Sequence, residues 1–315
     1  MKKLRVITFS DKDLGSENKL LQSCKKNDLE LIVLTYHKQW ASNAIKIKLL
    51  FDYLKTVEAE QLLLITDAFD VLINASEDDI LKAFSTFEKD IIFGAEANFY
   101  FRNHRIKKNY QAKYPESATI YKYLNSGTFM GKAVHIQMLL KDIISKNEID
   151  ISKDDYIHSF ISDQYLYSKH FVEYTQSPNQ QYAIGLDQFH FLFEVTGGRS
   201  RVMNLPYITK VHAYNAYKLE RAVLKFFGLN QFQSKLTDIY FDQVRQQFRN
   251  KITGTNPLVI HAPGTWQYFV EILDAVKTGE KQRVDVKGFF AKGSAMVIGA
   301  VCYLISLCIP FKLTI

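Results

Sequence analysis

The sequence predicts an α/β fold: a mixed, mostly parallel sheet with helices on both faces, plus a helical insertion and a C-terminal apolar helix. Three observations carry this expectation. Short, nearly continuous apolar runs alternate with longer helical patterns through the first hundred residues, the signature of strands buried on both faces and joined by crossover helices. The texture becomes amphipathic and helical across 202–250. Ala295 to Phe311 then runs without a charge, close to the shortest stretch that spans a bilayer.

Taken in order, Leu4–Phe9 reads as the first strand; its apolar run is too short for a secretory signal, so a signal peptide is not expected. Leu29–Thr35, Leu62–Thr66 and Ile91–Ala95 read as further buried strands, with helical spacing over Ser16–Lys26, Ala44–Val57 and Ser76–Phe87 between them. Ser76 is placed as an N-cap, with Asp78 and Asp79 at the positive helix start. Tyr123–Gly127 reads as a polar, Gly-punctuated turn ahead of an apolar stretch, and 257–260 as one more short strand leading into His261-Ala262-Pro263-Gly264. The expected organisation is one domain over 1–280 carrying the 202–250 insertion, a basic segment at 281–292, and a membrane-anchoring helix at 293–311. The positive-inside rule puts the large domain on the cytoplasmic face; a buried or partner-packing helix is the alternative for 293–311.

Composition removes several classes. With 47% hydrophobic and 14% aromatic residues but only 14 Gly and 6 Pro, the chain is neither disordered nor collagen-like. Its three cysteines, Cys24, Cys302 and Cys308, have no metal-binding spacing, which excludes a disulfide scaffold and a zinc finger and fits a reducing compartment. The net charge of +7 is concentrated late, in Lys281, Arg283, Lys287, Lys292 and Lys312 against Asp285. A basic loop at 102–113 is accompanied by no nucleic-acid-binding motif, so nucleic acid is not an expected partner. There is no GxGxxG, GxxxxGK[ST] or GxSxG, so dinucleotide, P-loop and hydrolase readings lack their signatures.

Ligands of such sheets sit beyond the carboxyl ends of the strands. After Leu62–Thr66 comes Asp67-Ala68-Phe69-Asp70. Two carboxylates there cannot both face a dry core unpaired, and a divalent cation bridging them is the simplest relief. A DxxD by itself also fits an N-cap and a solvated turn. Downstream lie Asn125-Ser126-Gly127, Ser162-Asp163-Gln164 and His261, the last a possible metal ligand after a strand.

The blocks IKIKLLFDYL, LITDAFDVLI, FGAEANFY, YKYLNSGTFMGKA, SDQYLY, IGLDQFHFLF and VIHAPG, in that order, resemble the glycosyltransferase domain of the procollagen lysyl hydroxylases and related collagen-type, viral and bacterial glycosyltransferases. The resemblance spans roughly residues 40–270. It implies a GT-A-like fold and a UDP-sugar donor used with Mn²⁺ or Mg²⁺. Carried over residue by residue, it implies Asp67, Asp70 and His261 as metal ligands and Lys46 near the nucleotide phosphates. Tyr100 stands as an aromatic wall, Gly264 lies at the phosphate end, and Asp187 matches another acid of the nucleotide side. Asn125 and Asp163 fall at the sugar and acceptor. Three departures stand out: Tyr100-Phe101 replaces a Trp-Pro, Ser162-Asp163 replaces paired acids, and HAPG replaces an HGNG-type end.

The resulting expectation is a metal-dependent hexosyltransferase taking glucose or galactose from a UDP-hexose donor to a glycan, lipid-linked or protein acceptor at the cytoplasmic membrane face. The alternative is a non-catalytic, membrane-tethered module that binds nucleotide-sugars or glycans.

Overall fold

The computed structural model describes residues 3–99, 110–152, 162–196 and 238–264, with 269, 273, 276 and 277. The predicted alternation holds through its first half: β1 (Leu4–Ser10), α1 (Lys19–Lys26), β2 (Glu30–Thr35), α2 (Ile45–Leu54), β3 (Leu62–Thr66), β4 (Val71–Ile73), α3 (Glu77–Ser85) and β5 (Ile91–Glu96). β6 (Tyr123–Lys132), α4 (Ala133–Lys146), α5 (Asp163–Thr175), β7 (Ile184–Asp187), β8 (Phe193–Val195), β9 (Ile239–Asp242), β10 (Gln247–Asn250) and β11 (Val259–His261) follow. Helix α1 starts later than the periodicity implies because Asn18 caps it, its side chain accepting the Leu21 N–H. Ser76 caps α3 as expected, accepting the Asp79 N–H.

The main sheet has the order β2-β1-β3-β6-β5-β7. β1 pairs parallel with β2 and β3, and β5 with β7, while β6 runs antiparallel to both of its neighbours. The sheet is therefore mixed and mostly parallel. Alternate strand residues feed two cores. Ile7, Phe9, Leu63, Ile65, Phe93 and Phe129 pack against α2, α4 and α5 on one face. Leu4, Val6, Leu64, Ile92 and Met130 pack with Leu20 and Cys24 of α1 and Ile80 of α3 on the other. Burial on both faces is what makes the strands read as unbroken apolar runs.

Two expectations need correction. Tyr123–Gly127 is not a turn: it opens β6, the ten-residue strand at the middle of the sheet. Its polar residues Asn125, Ser126 and Thr128 are buried; Asn125 and Ser126 find distant partners in Glu96 and Asp163, while Thr128 Oγ1 has no hydrogen-bond partner. The end of the 202–250 insertion is not helical either. Residues 239–250 form the β9–β10 hairpin, with Ile239 paired to Asn250 and Phe241 to Phe248. Ile239, Phe248 and Asn250 are buried while Tyr240 is exposed, a period of two rather than 3.6. Residues 202–237, the 281–292 basic segment and the 293–311 apolar segment lie outside the described residues. Among the described residues no helix is long and apolar enough to cross a membrane.

A second, three-stranded sheet has the order β4-β11-β8, with β11 antiparallel to β4 and parallel to β8. The register sets His261 opposite Val71 and Val195, which delivers the histidine to the residue following Asp70. The hairpin is fastened by a buried polar hub. Asn250 Nδ2 donates to Glu194 Oε2 at 2.8 Å and to Tyr121 OH at 2.9 Å. His190 stands 3.0 Å from Glu194 Oε2 through Nδ1 and 2.9 Å from the Ala95 carbonyl through Nε2. Both neighbours are acceptors, so both ring nitrogens donate; burial opposes the cation, but the Glu194 carboxylate outweighs it and raises the pKa.

Helix α5 carries another buried histidine in the opposite condition. His170 Nε2 lies 2.9 Å from Tyr182 OH, which itself donates to Asp142 Oδ2, and Nδ1 has no hydrogen-bond partner. Burial, seconded by the charge of Lys146, pushes its pKa down to about 3. The unfolded chain, with an ordinary value of 6.5, binds the proton more readily, so this group makes stability fall as pH drops from about 6.5 towards 3. His170→Phe should flatten that part of a pH profile of thermal unfolding. At pH 8 it should cost only about 1 kcal/mol for the lost hydrogen bond. A profile as steep as that of the unsubstituted protein would show that another group carries the acid sensitivity.

Candidate active site

The turn that follows β3 is held from three sides. The Asp67 N–H donates to the Gly127 carbonyl at 2.8 Å, extending the β3–β6 pairing by one residue, and the Asp70 carbonyl accepts the Ala262 N–H at 2.9 Å. Asn18, having capped α1, donates from Nδ2 to the Ala68 carbonyl at 2.7 Å. Gly264, with φ of 72° in the region that favours glycine, donates its N–H to Asp70 Oδ2 at 2.9 Å. The loop is therefore built from α1, β6 and β11 together, and it turns both carboxylates to one side.

Asp67, Asp70 and His261 meet there, each with one ligand atom within 4.8 Å of the others. His261 Nε2 is 3.4 Å from Asp67 Oδ2 and 3.6 Å from Asp70 Oδ1. The imidazole is almost fully buried and neither ring nitrogen has a hydrogen-bond partner. A buried nitrogen without a partner, aimed between two carboxylates, is the fit expected of a ligand to a divalent cation. Two carboxylates and one imidazole form a donor set for a divalent cation, with coordination positions left for a second ligand. With no cation bound, burial disfavours the imidazolium, but the two carboxylates overcome it and raise the His261 pKa to about 9.

Lys46 closes the other side. Its Nζ lies 2.5 Å from Asp67 Oδ1 and 3.2 Å from Asp163 Oδ2. Burial would lower the lysine pKa, yet the Asp163 and Asp67 charges raise it, and burial of Asp67 is likewise overcome by Lys46 and His261, holding that carboxylate well below the usual range. Asp163 opens α5, which Ser162 caps by accepting the Tyr165 N–H; the serine replacing an acid thus starts the helix. Asp163 Oδ2 also accepts from Ser126 Oγ at 3.2 Å. Phe9, Ile65, Phe129 and Tyr167 floor the recess between Lys46, Asp67, Ser126 and Asp163.

Gly127 is flush with the triad. A Cβ there would come within 2.7 Å of Asp67 Oδ2 and 2.8 Å of His261 Nε2, so the backbone of β6 is one wall of the site. Asn125, two residues before, is held by the strand's surroundings: its Nδ2 donates to Glu96 Oε1 at 2.9 Å and its Oδ1 accepts the Gly127 N–H.

Of the residues expected from the sequence, Asp67, Asp70, His261, Lys46, Asp163 and Gly264 converge, and Asn125 adjoins them through Gly127. Asp187 does not join them. Its two oxygens accept the N–H groups of Phe191, Leu192 and Phe193, which fixes the turn between β7 and β8. Tyr100 lies outside the described residues. Asn18 and Glu96 belong to the neighbourhood without having been singled out for it, and Ser126, Gly127 and Gln164 stand in the expected motifs without an assigned role. For all but Asn18, the nearest sequence signal is a place in the FGAEANFY, LNSG or SDQ block.

The chain is 25% identical over 248 residues to procollagen-lysine,2-oxoglutarate 5-dioxygenase 2 of Mus musculus, covering 72% of this chain and 31% of that protein. It is 28% identical over 150 residues to the multifunctional procollagen lysine hydroxylase and glycosyltransferase of Caenorhabditis elegans, covering 44% of this chain and 20% of that one. The chain thus spans less than a third of the length of these relatives. A solved glycosyltransferase involved in the glycosylation of the major capsid of PBCV-1 aligns with a TM-score of 0.41 at 11% identity, over 87% of this chain and 99% of that one. The model of the PLOD GT domain matches residues 1–224, a stretch that holds β1 to β8 and every candidate site residue except His261 and Gly264: the chain belongs to the PLOD GT domain family.

Proposed function

We propose that the chain is a metal-dependent glycosyltransferase that moves a hexose, glucose or galactose, from a UDP-sugar to a hydroxyl of a glycan, lipid-linked or protein acceptor. The observation that carries this reading is the convergence of Asp67, Asp70 and the partnerless nitrogens of His261 beside Lys46 and Asp163. Asp67, Asp70 and His261 would hold Mn²⁺ or Mg²⁺, which when bound neutralises charge on a diphosphate leaving group. Lys46 adds a second cation at the same point, free to exchange a carboxylate for a phosphate oxygen as the donor enters. The Gly264 N–H keeps Asp70 turned inward while this happens. Asp163 is the one carboxylate of the cluster outside the metal triad, and its place over the apolar floor suits it to orient an acceptor hydroxyl or to accept its proton. Asn125, held by Glu96, lines the sugar side.

The acceptor is placed at the cytoplasmic face of a membrane by this reading, on the strength of the basic 281–292 segment and the uncharged run after it. Hexose identity and acceptor class rest on the family relationship. A non-catalytic nucleotide-sugar module would bind in the same metal-dependent way without turnover.

The deciding assay is release of UDP from a panel of UDP-sugars with Mn²⁺ and with EDTA. Metal-dependent release from one donor establishes the transferase; binding without release from any donor or acceptor offered leaves the non-catalytic module standing. Asp70→Ala should weaken metal-dependent UDP binding by ~100-fold or more, and unchanged Mn²⁺ dependence would remove the metal assignment. Asp163→Asn should lower kcat by roughly 10²–10⁴-fold with UDP affinity within about twofold; a matching loss of affinity would move Asp163 into the nucleotide site. In Gly127→Ala the added methyl displaces His261 or Asp67, so Mn²⁺ affinity should fall at least ~10-fold, readable by calorimetric titration. Wild-type affinity in that variant would show that the wall yields.

A further inference from the structure

The pairing of β5 with β6 slips where the site begins. Phe93 pairs with Phe129, but the next residue, Gly94, pairs with Asn125. Ser126, Gly127 and Thr128 are left without a partner on β5, and these are the residues whose backbone forms the wall of the metal triad. Buried backbone groups need partners, and here the partner is a side chain. Gln164, the second residue of α5, accepts the Ser126 N–H on Oε1 at 2.6 Å and donates from Nε2 to the Leu124 carbonyl at 2.5 Å. Its amide so imitates the N–H and C=O pair of a neighbouring strand across the gap. The same Nε2 lies 3.3 Å from Glu96 Oε1, which also holds Asn125.

We propose that Gln164 is a positioning residue, which clamps the slipped segment of β6 and thereby sets the approach of Gly127 to Asp67 and His261. Three links connect it to the site. The Gly127 carbonyl receives the Asp67 N–H, so displacing the segment displaces the turn that carries both aspartates. The Gly127 Cα leaves no room for even a methyl group before Asp67 and His261, so movement inward is blocked and only loosening outward remains. Gln164 directly follows Asp163 in the first turn of α5, and Ser126 bonds to both, through its N–H to one and its Oγ to the other. One helix start therefore fixes the acceptor-side carboxylate and the metal-side wall together. The consequence for metal binding rests on the function proposed above; the clamp itself does not.

The test uses the full chain with two substitutions and two readouts. Gln164→Met keeps length and removes both hydrogen bonds. The Ser126 amide should then exchange with solvent at least ~10-fold faster while amides of β1 and β3 are unchanged, and Mn²⁺ affinity should drop ~10-fold or more. Gln164→Glu keeps an acceptor for the Ser126 N–H but sets a carboxylate oxygen against Glu96 Oε1 and the Leu124 carbonyl, so Ser126 protection should fall between that of Gln164→Met and wild type. Wild-type protection and wild-type Mn²⁺ affinity in Gln164→Met overturn the proposal, and so does a uniform loss of protection across the sheet, which would make Gln164 a general stabilising residue. If the unsubstituted protein binds no Mn²⁺, the metal reading fails, and the Ser126 exchange rate still decides the clamp.

Discussion

Everything at this site follows from repulsion among three carboxylates, those of Asp67, Asp70 and Asp163, gathered at the end of a buried strand. Charge held away from water is tolerated only where opposite charge answers it. Lys46 and His261 give that answer, one bridging Asp67 to Asp163, the other set between Asp67 and Asp70. The surrounding structure is arranged to keep the acids together regardless. Asn18, Gly127, Ala262 and Gly264 all hold the backbone or side chains of one four-residue turn.

The fold supplies that convergence by combining two sheets. The main sheet ends its central strand at Thr66, and the small sheet brings β11 beside β4, so the two ligand segments arrive from different layers. The antiparallel β6 is the hinge of the design. As it runs opposite to β3, its slipped middle lies beside the carboxyl end of β3, where a parallel strand would have offered only its own end. Asn125 and Ser126 are tolerated within a buried strand because Glu96 and α5 complete their hydrogen bonds.

Legibility in the sequence divided along physical lines. The strands of the first half were visible because they are buried on both faces, and their apolar runs need no knowledge of neighbours. Asp67, Asp70 and His261 are legible only as a set: each alone fits a capped turn or a satisfied histidine, and the order of the blocks around them is what joins them. β6 was hidden, since Asn125, Ser126 and Thr128 look like turn residues until Glu96 and Gln164 are placed beside them. The β9–β10 hairpin was hidden for another reason: four residues of alternation are too few to outweigh an amphipathic composition. Asp187 runs the other way. An acid in a matching block was given to the nucleotide, while its oxygens are occupied by three backbone N–H groups of its own turn.

The hydrogen bond from Gly264 to Asp70 joins positions 194 residues apart. Contacts of such separation form late, because closing a long loop is entropically costly until the intervening chain has condensed. The two aspartates are placed by local strand and helix formation, but the histidine and the glycine reach them only when β11 docks at the far end of the domain. A complete metal triad is thus a record of finished folding: a chain caught before β11 adds its pairing to β4 can hold most of the main sheet and still present Asp70 with no cation beside it, Lys46 answering only Asp67 and Asp163.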